Sequence, residues 1–300
     1  MPVSLRQLQI FRAVAQYMSY TRAAEALHLT QPAVFTQVRQ LEEQLDSVLI
    51  ERLGKRLFLT EAGEIVLASA REVLNELEQL DTRLAELRGL ARGRLRIAIV
   101  TTAKYDIPRR LGEYCRRYPG IDVVLTVCNR EDLLARLAAN EDDLYILGTL
   151  PEGVDAEHHA YAQNPLVMIA PRDHRLVGRS AIPAAELMAE TFVLREKGSG
   201  TRIAAERFFS ENGIAPRVRM DLGADEAIKQ AVMVGLGLSV IARGAALLEL
   251  DQRVLAELDI MGFPLSRQWH VAWPRGKRLS VGARAFLDML GVVAESRLEA

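Results

Sequence analysis

Between Glu61 and Arg88 the chain holds no proline, and its one glycine there, Gly63, falls in the first turn of any helix that begins at Glu61. Along this stretch Val66, Ala70, Val73, Leu77, Leu80, Leu84 and Leu87 recur at intervals of 4, 3, 4, 3, 4 and 3 residues, which makes three heptads of an a/d seam. At 1.5 Å per residue such a helix would be roughly 40 Å long. That is too long to bury against the 60 residues before it. The segment therefore divides the chain into a head, a linker helix and a large remainder. Its dimerisation residues are expected to be Val66, Val73, Leu77, Leu80, Leu84 and Leu87, facing a second copy; the alternative is that the helix lies on the chain's own C-terminal part.

A chain of 300 residues suggests about two domains, and 49% hydrophobic with 26% charged residues excludes disordered, collagenous and disulfide-scaffold classes. The opening Met1-Pro2-Val3-Ser4-Leu5-Arg6 lacks a basic segment followed by an apolar run, so a cytoplasmic location is expected. The most apolar stretch, Ala231 to Ala242, is too short and glycine-containing for a membrane helix, so no membrane partner is expected. Cys115 and Cys128 form no CxxC pair and have no histidine at metal spacing, and no metal site is read from them. Net charge is −1, but residues 1–60 carry seven basic and five acidic side chains, with one dense cluster at Arg52-Leu53-Gly54-Lys55-Arg56. Charge by itself is a weak guide here.

Within the head, Leu5, Leu8, Ile10, Phe11, Val14 and Ala15 have helical spacing over 5–17. Ser19 or Thr21 can cap a short helix at Arg22–Leu27, and His28-Leu29-Thr30 is a tight connection. Thr30 is a good N-cap, and Gln31-Pro32 suits a first helical turn because proline loses no hydrogen bond there. Val34, Val38, Leu41 and Leu45 form the inner face of this third helix, leaving Gln31, Phe35, Thr36 and Arg39 free. Three short helices with a polar last N-terminal half are a helix-turn-helix pattern. Leu49–Arg52 and Leu57–Thr60 then read as two strands around a basic glycine turn, a wing whose cations would sit beside phosphates. The expected DNA-contacting set is Arg22, Thr30, Gln31, Pro32, Ala33, Phe35, Thr36, Arg39, Arg52, Lys55 and Arg56, with double-stranded DNA as partner.

Gly89-Leu90-Ala91-Arg92-Gly93 breaks the linker helix and marks a hinge at 89–93. Beyond it strands at 95–100, 121–127 and 144–147 alternate with helices at 103–117 and 130–139, and further strands are expected near 166–170, 191–194, 218–222, 238–241 and 269–273, with helices at 201–212 and 225–234. Such alternation predicts an α/β region with mostly parallel sheets and ligands at the carboxyl ends of strands. Residues 94–300 are expected to form two lobes, one from about 94–162 and 266–300 and the other from about 163–265, following a winged helix-turn-helix at 1–60.

Three places put hydroxyls or amides at a helix start: Thr101-Thr102-Ala103-Lys104, Lys197-Gly198-Ser199-Gly200-Thr201-Arg202 and Gly223-Ala224-Asp225. Unpaired N–H groups and the positive dipole end there favour an anion, although simple capping would use the same residues. The expected effector set is Thr101, Thr102, Lys104, Asn129, Ser199, Thr201, Arg202 and Asp225. GxxxxGK[ST] is absent, Gly235-Leu236-Gly237 lacks the third glycine of a dinucleotide fingerprint, and no Gly-x-Ser-x-Gly elbow occurs. His158 and His159 are adjacent and would point to opposite faces of a strand, which does not suit a shared ion. No catalytic residue is assigned, and an enzyme is not expected.

Taken together, Arg22-Ala23-Ala24-Glu25-Ala26-Leu27, Thr30-Gln31-Pro32-Ala33-Val34, Leu41-Glu42, Glu51-Arg52 and Leu59-Thr60-Glu61-Ala62-Gly63 resemble the LysR-type transcriptional regulators. Thr101-Thr102-Ala103-Lys104-Tyr105, Asn140 to Gly148, Gly198-Ser199-Gly200-Thr201-Arg202, Glu226 to Ala231 and Gly276-Lys277-Arg278-Leu279-Ser280 are similar to the CbbR group of that family, regulators of carbon-fixation operons. The resemblance implies a winged helix-turn-helix, a linker helix and a periplasmic-binding-protein-like effector region, assembled as a homodimer or homotetramer. It implies no cofactor but a small-molecule effector, a phosphorylated metabolite or NADPH, and RNA polymerase as a further partner. The chain departs from the family's habit at Phe35, usually serine, at Asp46-Ser47, where a glycine is usual, and at Ile50, commonly phenylalanine.

Overall fold

The computed structural model describes residues 3–54, 56–87 and 93–292, with the side chains of 78, 79 and 81–87 outside that description. Two compact units divide the chain, one of residues 1–90 with 139–141 and one of residues 91–138 and 142–300. The hinge residues 89–92 and Lys55 lie outside the described residues.

In the first unit the local chemistry of each helix end is explicit. Helix α1 (Leu5–Tyr17) opens with a capping box: the Ser4 hydroxyl accepts from the Gln7 amide at 3.2 Å and the Gln7 side chain accepts from the Ser4 amide at 2.8 Å. Helix α2 (Tyr20–Leu27) is capped by Ser19, and α3 (Gln31–Leu45) by Thr30, whose hydroxyl accepts from the Ala33 amide. Asp46 ends α3 at φ +47°, the left-handed conformation that the family's usual glycine adopts freely and that aspartate tolerates. Ile10, Phe11, Val14, Ala23, Val34, Val38 and Leu41 are buried together, while Leu5, expected on that face, is 46% exposed.

The wing is β1 (Ile50–Leu53) paired antiparallel with β2 (Arg56–Leu59). The Glu42 carboxylate accepts from the Leu49 and Ile50 amides at 2.8 and 3.1 Å, tying α3 to the strand. Thr60 donates to the Val48 carbonyl at 2.6 Å and accepts from the Gly63 amide at 3.0 Å. A Cβ at Gly63 would lie 2.1 Å from the Leu49 carbonyl oxygen, so this position admits no side chain. These contacts account for three of the residues that carry the family resemblance.

Helix α4 (Glu61–Leu87) spans the expected linker. Its burial differs from a uniform seam. Leu67, Ala70 and Leu74 are buried, with Leu67 and partly Val66 packed on the head's own core. Val73, Leu77 and Leu80 are 43%, 36% and 47% exposed. The early turns of α4 therefore complete the head through Leu67 and Val66, the buried positions mix the predicted Val66 and Ala70 with Leu67 and Leu74, and an apolar stripe remains open further along. The side chains of Leu84 and Leu87 lie outside the described residues.

In the second unit, β3 (Gly93–Val100) begins one residue inside the expected hinge. The helix expected at 103–117 is split. Thr101–Tyr105 forms a tight 3-10 turn, and α5 (Ile107–Arg117) restarts with Pro108 in its first turn, because proline inside a continuous helix would clash with the preceding turn. Then come β4 (Ile121–Cys128), α6 (Arg130–Ala138), β5 (Leu144–Leu147), β6 (Ala156–Gln163), β7 (Leu166–Pro171), β8 (Thr191–Arg195), α7 (Gly200–Glu211), β9 (Arg217–Leu222), α8 (Asp225–Met233), β10 (Ser239–Ala242), α9 (Arg243–Asp251), β11 (Leu255–Leu258), β12 (Gln268–Pro274) and α10 (Val281–Met289).

One sheet has the order β4-β3-β5-β12-β6, with β3 parallel to β4 and β5 and β12 antiparallel to both its neighbours. A second lobe holds β10-β7-β11, antiparallel throughout, and the parallel pair β8-β9. The expectation of mostly parallel sheets thus fails outside β4-β3-β5 and β8-β9. Physically, β7 and β12 are the strands that follow the two passages of the chain between lobes, and each enters its sheet against its neighbours' direction. Separate cores mark the lobes: Leu95, Ile97, Tyr114, Ile146, Trp273 and Phe286 in one, Leu166 to Ala170, Phe192, Phe209, Ile228 and Ile241 in the other.

Gly63→Ala is expected to lower the calorimetric unfolding transition of the head by about 1–3 kcal/mol, the usual cost of overpacking, while leaving transitions of the second unit in place. An unchanged head transition would mean the wing does not need this close approach.

Candidate functional site

A sheet with parallel β3, β4 and β5 brings three strand ends to one edge, and antiparallel β12 starts at that same edge. Thr101 and Thr102 follow β3, Arg130 follows β4, Gly148 and Thr149 follow β5, and Arg267 precedes β12. The other lobe contributes Arg195 and Glu196 at the end of β8 and Ser199, Gly200 and Thr201 at the start of α7. All of these line one cleft between the lobes, with a cavity volume of about 40 Å³.

Arg195 is only 2% exposed and uses all five of its N–H groups. Its Nε and Nη2 donate to the Glu196 carboxylate at 2.7 and 2.9 Å, and its Nη1 donates to Asp225 Oδ1 at 2.9 Å. The remaining two donors reach across the cleft to the Thr102 hydroxyl at 3.2 Å and the Thr101 hydroxyl at 2.9 Å. Burial works against its charge, but the bonds to Glu196 and Asp225 outweigh burial and raise its pKa. Because both threonine oxygens accept from Arg195, their own hydroxyl protons are free to donate elsewhere. Asp225 Oδ2 is buried without a hydrogen-bond partner, and burial raises that carboxyl's pKa against the opposing pull of Arg195 and Lys104.

Arg130 and Arg267 differ from Arg195 in kind. Among the described residues no carboxylate pairs with either. Arg267 donates to the Thr149 hydroxyl at 2.7 Å and to the Gly200 carbonyl, and Arg130 donates to the Thr149 carbonyl at 3.3 Å. Burial, then the neighbouring charge of Arg130, push the Arg267 pKa down. A Cβ at Gly148 would sit 2.9 Å from Arg267 Nη2, so glycine there gives the guanidinium its seat. The Ser199 side chain makes no capping bond, and the first amides of α7 open onto the same space. Two adjacent uncompensated cations, free hydroxyls and a helix start form a receptor for a small multiply charged anion.

Of the expected effector residues, Thr101, Thr102, Ser199 and Thr201 line the cleft. Lys104 does not: it pairs with Glu226 at 2.7 Å. Arg202 bonds Glu206 at 2.6 Å, Asp221 and the Arg195 carbonyl. Asp225 acts through Arg195, and Asn129 caps α6 by accepting from the Asp132 amide at 2.8 Å. The cationic part of the expectation is therefore corrected: Lys104 and Arg202 are consumed by nearby carboxylates, and Arg130 and Arg267 face the space. Sequence reasoning also missed Arg195 and Thr149. The rule that ligands sit at carboxyl strand ends would have found Arg130 and Thr149, since each directly follows a predicted strand; Arg267 required knowing the direction of β12.

In the head, Gln31, Pro32, Ala33, Phe35, Thr36 and Arg39 are exposed on α3. Phe35 packs edge-on to Tyr20 at 5.3 Å between ring centres, Arg22 lies over the Tyr17 ring at 5.7 Å, and Arg39 approaches Glu43 at 4.0 Å. Thr30 is engaged in capping. On the wing Arg52 donates to the Gly54 carbonyl at 3.0 Å, and Arg56 is exposed.

A winged helix-turn-helix in the same chain as a two-lobed anion cleft defines a ligand-responsive DNA-binding regulator. Residues 5–64 match the family described as bacterial regulatory helix-turn-helix protein, lysR family, and residues 88–294 match the LysR substrate binding domain. The chain belongs to the LysR family of transcriptional regulators. It is similar to the RuBisCO operon transcriptional regulator of Allochromatium vinosum, 50% identical over 290 residues, 97% of this chain and 96% of that one. The regulatory domain of CcmR from Synechocystis PCC6803, solved in complex with 2-PG, is 48% identical with a TM-score of 0.65 and covers 69% of this chain and 99% of its own. Full-length CbnR, solved complexed with its target DNA, is 25% identical with a TM-score of 0.69 over 96% of this chain and 99% of that one.

One lobe-to-lobe contact has a pH signature. Burial opposes ionisation of Glu226, but bonds from Lys104 and Tyr105 hold its pKa down at about 2. A depressed carboxylate stabilises the folded state fully above its ordinary value and loses that contribution as pH falls from there toward 2. Carboxyl NMR titration of Glu226 is expected to show a midpoint near 2, and Lys104→Met should move it upward. A midpoint unchanged by Lys104→Met would dismiss the pairing.

Proposed function

We propose that this LysR regulator controls carbon-fixation genes and that a small phosphorylated acid, bound between the lobes, is its effector. The carrying observation is the Arg130–Arg267 pair, two guanidiniums without a carboxylate partner among the described residues, set beside the hydroxyls of Thr101, Thr102, Thr149, Ser199 and Thr201. A phosphate dianion supplies the missing countercharge and accepts from those hydroxyls. With a cavity volume of about 40 Å³ the cleft is far too small for a dinucleotide such as NADPH, and even a small acid enters it only as the lobes part. The relatives support the same reading: one is described as a regulator of the RuBisCO operon, and the CcmR domain was solved with 2-PG, 2-phosphoglycolate.

Effector action follows from differential binding. A ligand touching both lobes prefers the arrangement that satisfies all its contacts, and it shifts the regulator only by the free energy of that preference, typically about 1–3 kcal/mol. On the DNA side, the reading assigns base contacts to Gln31, Ala33, Phe35 and Thr36 and phosphate contacts to Arg22, Arg39, Arg52, Lys55 and Arg56. The open stripe of Val73, Leu77 and Leu80 is assigned to a second copy of α4, giving a dimer that pairs further into a tetramer.

Calorimetry with 2-phosphoglycolate tests the cleft. Arg267→Ala should weaken binding by about 1.5–3 kcal/mol, roughly tenfold or more, while anisotropy with the chain's own upstream DNA shows basal affinity retained. Equal binding of 2-phosphoglycolate by wild type and Arg267→Ala rejects the placement.

Leu80→Glu tests the seam. Burying one leucine is worth roughly 1.5–3 kcal/mol, and a carboxylate facing its symmetry mate reverses the sign. Sedimentation should show dissociation and the operator affinity should fall, since two half-sites need one dimer. An unchanged assembly would remove the stripe from the interface.

A further inference from the structure

The cleft does not end at Arg267. Beyond that guanidinium lies a wider chamber of about 620 Å³, and Arg130, Gly148, Thr149, Gly200 and Arg267 line both spaces. The two unpaired arginines are thus a partition with a ligand-accessible space on each side.

The outer chamber has a different chemistry from the cleft. Its far wall is α7 and the segment before β12, with Ile203, Ala204, Phe208 and Leu265 lining it. Ile203 is 48% exposed, although its neighbours along the helix, Ala205, Phe208 and Phe209, are buried in the lobe's core. A large aliphatic side chain left bare in a concave wall marks a place for an apolar body. Glu211 is the one carboxylate among the described lining residues, and it is already paired with Arg207 at 2.7 Å. An apolar wall therefore faces two uncompensated cations.

We propose that this chamber is a second ligand site, for an organic anion whose acid group meets Arg130 and Arg267 and whose apolar body lies on Ile203, Phe208 and Leu265. The site stands on its own lining; only its coupling to the cleft rests on the effector reading given above. Anions on the two sides of Arg267 compete for the same cations and repel each other. Each ligand therefore weakens the other, and linkage makes the two factors equal. The regulator then responds to the balance between a small phosphorylated acid and a larger amphipathic one.

Fluorescence titration of the full chain with 8-anilinonaphthalene-1-sulfonate, an amphipathic anion, tests this. One saturable site per chain is expected. Ile203→Asp, and independently Ala204→Trp, which intrudes on the chamber, should each weaken the probe at least tenfold while 2-phosphoglycolate affinity stays within about twofold. The cleft variants Thr102→Val and Ser199→Ala should leave probe affinity within about twofold. Saturating 2-phosphoglycolate should raise the probe's Kd, and the probe should raise that of 2-phosphoglycolate by the same factor. Probe binding that survives both chamber variants, or is lost in the cleft variants, overturns the proposal, and independence of the two ligands overturns the shared-arginine coupling. If the wild type ignores 2-phosphoglycolate yet binds the probe through Ile203, the effector reading falls and the chamber stands.

Discussion

Everything in the effector region is arranged around the Arg195 guanidinium. It is buried at the end of a strand in one lobe, and its five donors are divided between two carboxylates of its own lobe and two threonine hydroxyls of the other. Removing one partner of such a buried pair leaves an uncompensated charge, at a cost of about 3–5 kcal/mol. The strength of the arrangement is less important than its direction. By occupying the acceptor positions of Thr101 and Thr102, Arg195 turns both into donors toward the cleft, so a cation already neutralised by the carboxylates of its own lobe sets the hydrogen-bonding character of the cleft.

Arg130 and Arg267 carry the opposite logic. Most cations of this region are neutralised nearby: Lys104 by Glu226, Arg202 by Glu206 and Asp221, Lys229 by Glu249. Against that background, two neighbouring guanidiniums bonded, among the described residues, to a carbonyl, a hydroxyl and a second carbonyl are a charge imbalance the fold sustains. Two like charges held side by side repel each other, and that repulsion is what the proposed anion would relieve.

The chain's local grammar was legible in the sequence, and its long-range polar geometry was not. Thr30 as a cap, Pro32 in a first turn, the strand at 144–147 and the recognition-helix face of Gln31, Phe35 and Thr36 all follow from neighbours within a few residues, and the structure places them so. Strand β6, with its half-exposed Glu157-His158-His159-Ala160 run, lacks an apolar alternation and escaped notice as an element in its own right, as did α9, β11 and α10. Lys104 and Arg202 lie beside helix starts, which makes them read as anion ligands, yet each is claimed by a carboxylate that could not be placed without the fold, in the case of Glu226 from 122 residues away. Arg267 was missed for the converse reason. Its neighbours Thr149 and Gly200 are 118 and 67 residues distant, and only the antiparallel entry of β12 carries it to the edge where the parallel strands end.

Helix α4 shows how one periodic sequence can serve two interfaces. The heptad count read from the sequence treats Val66 to Leu87 as a single stripe, but an α-helix at 3.6 residues per turn drifts about 20° per heptad from a straight 3.5-residue repeat. Near Gly63 the helix must approach the Leu49 carbonyl, and that contact sets its rotation on the head. With this rotation fixed, Leu67, Ala70 and Leu74 turn inward and Val73, Leu77 and Leu80 turn out. The close approach at Gly63 thus also bears on which leucines of α4 stay exposed, so an error there would be transmitted along the helix as a rotated apolar stripe rather than as a local loss of packing alone.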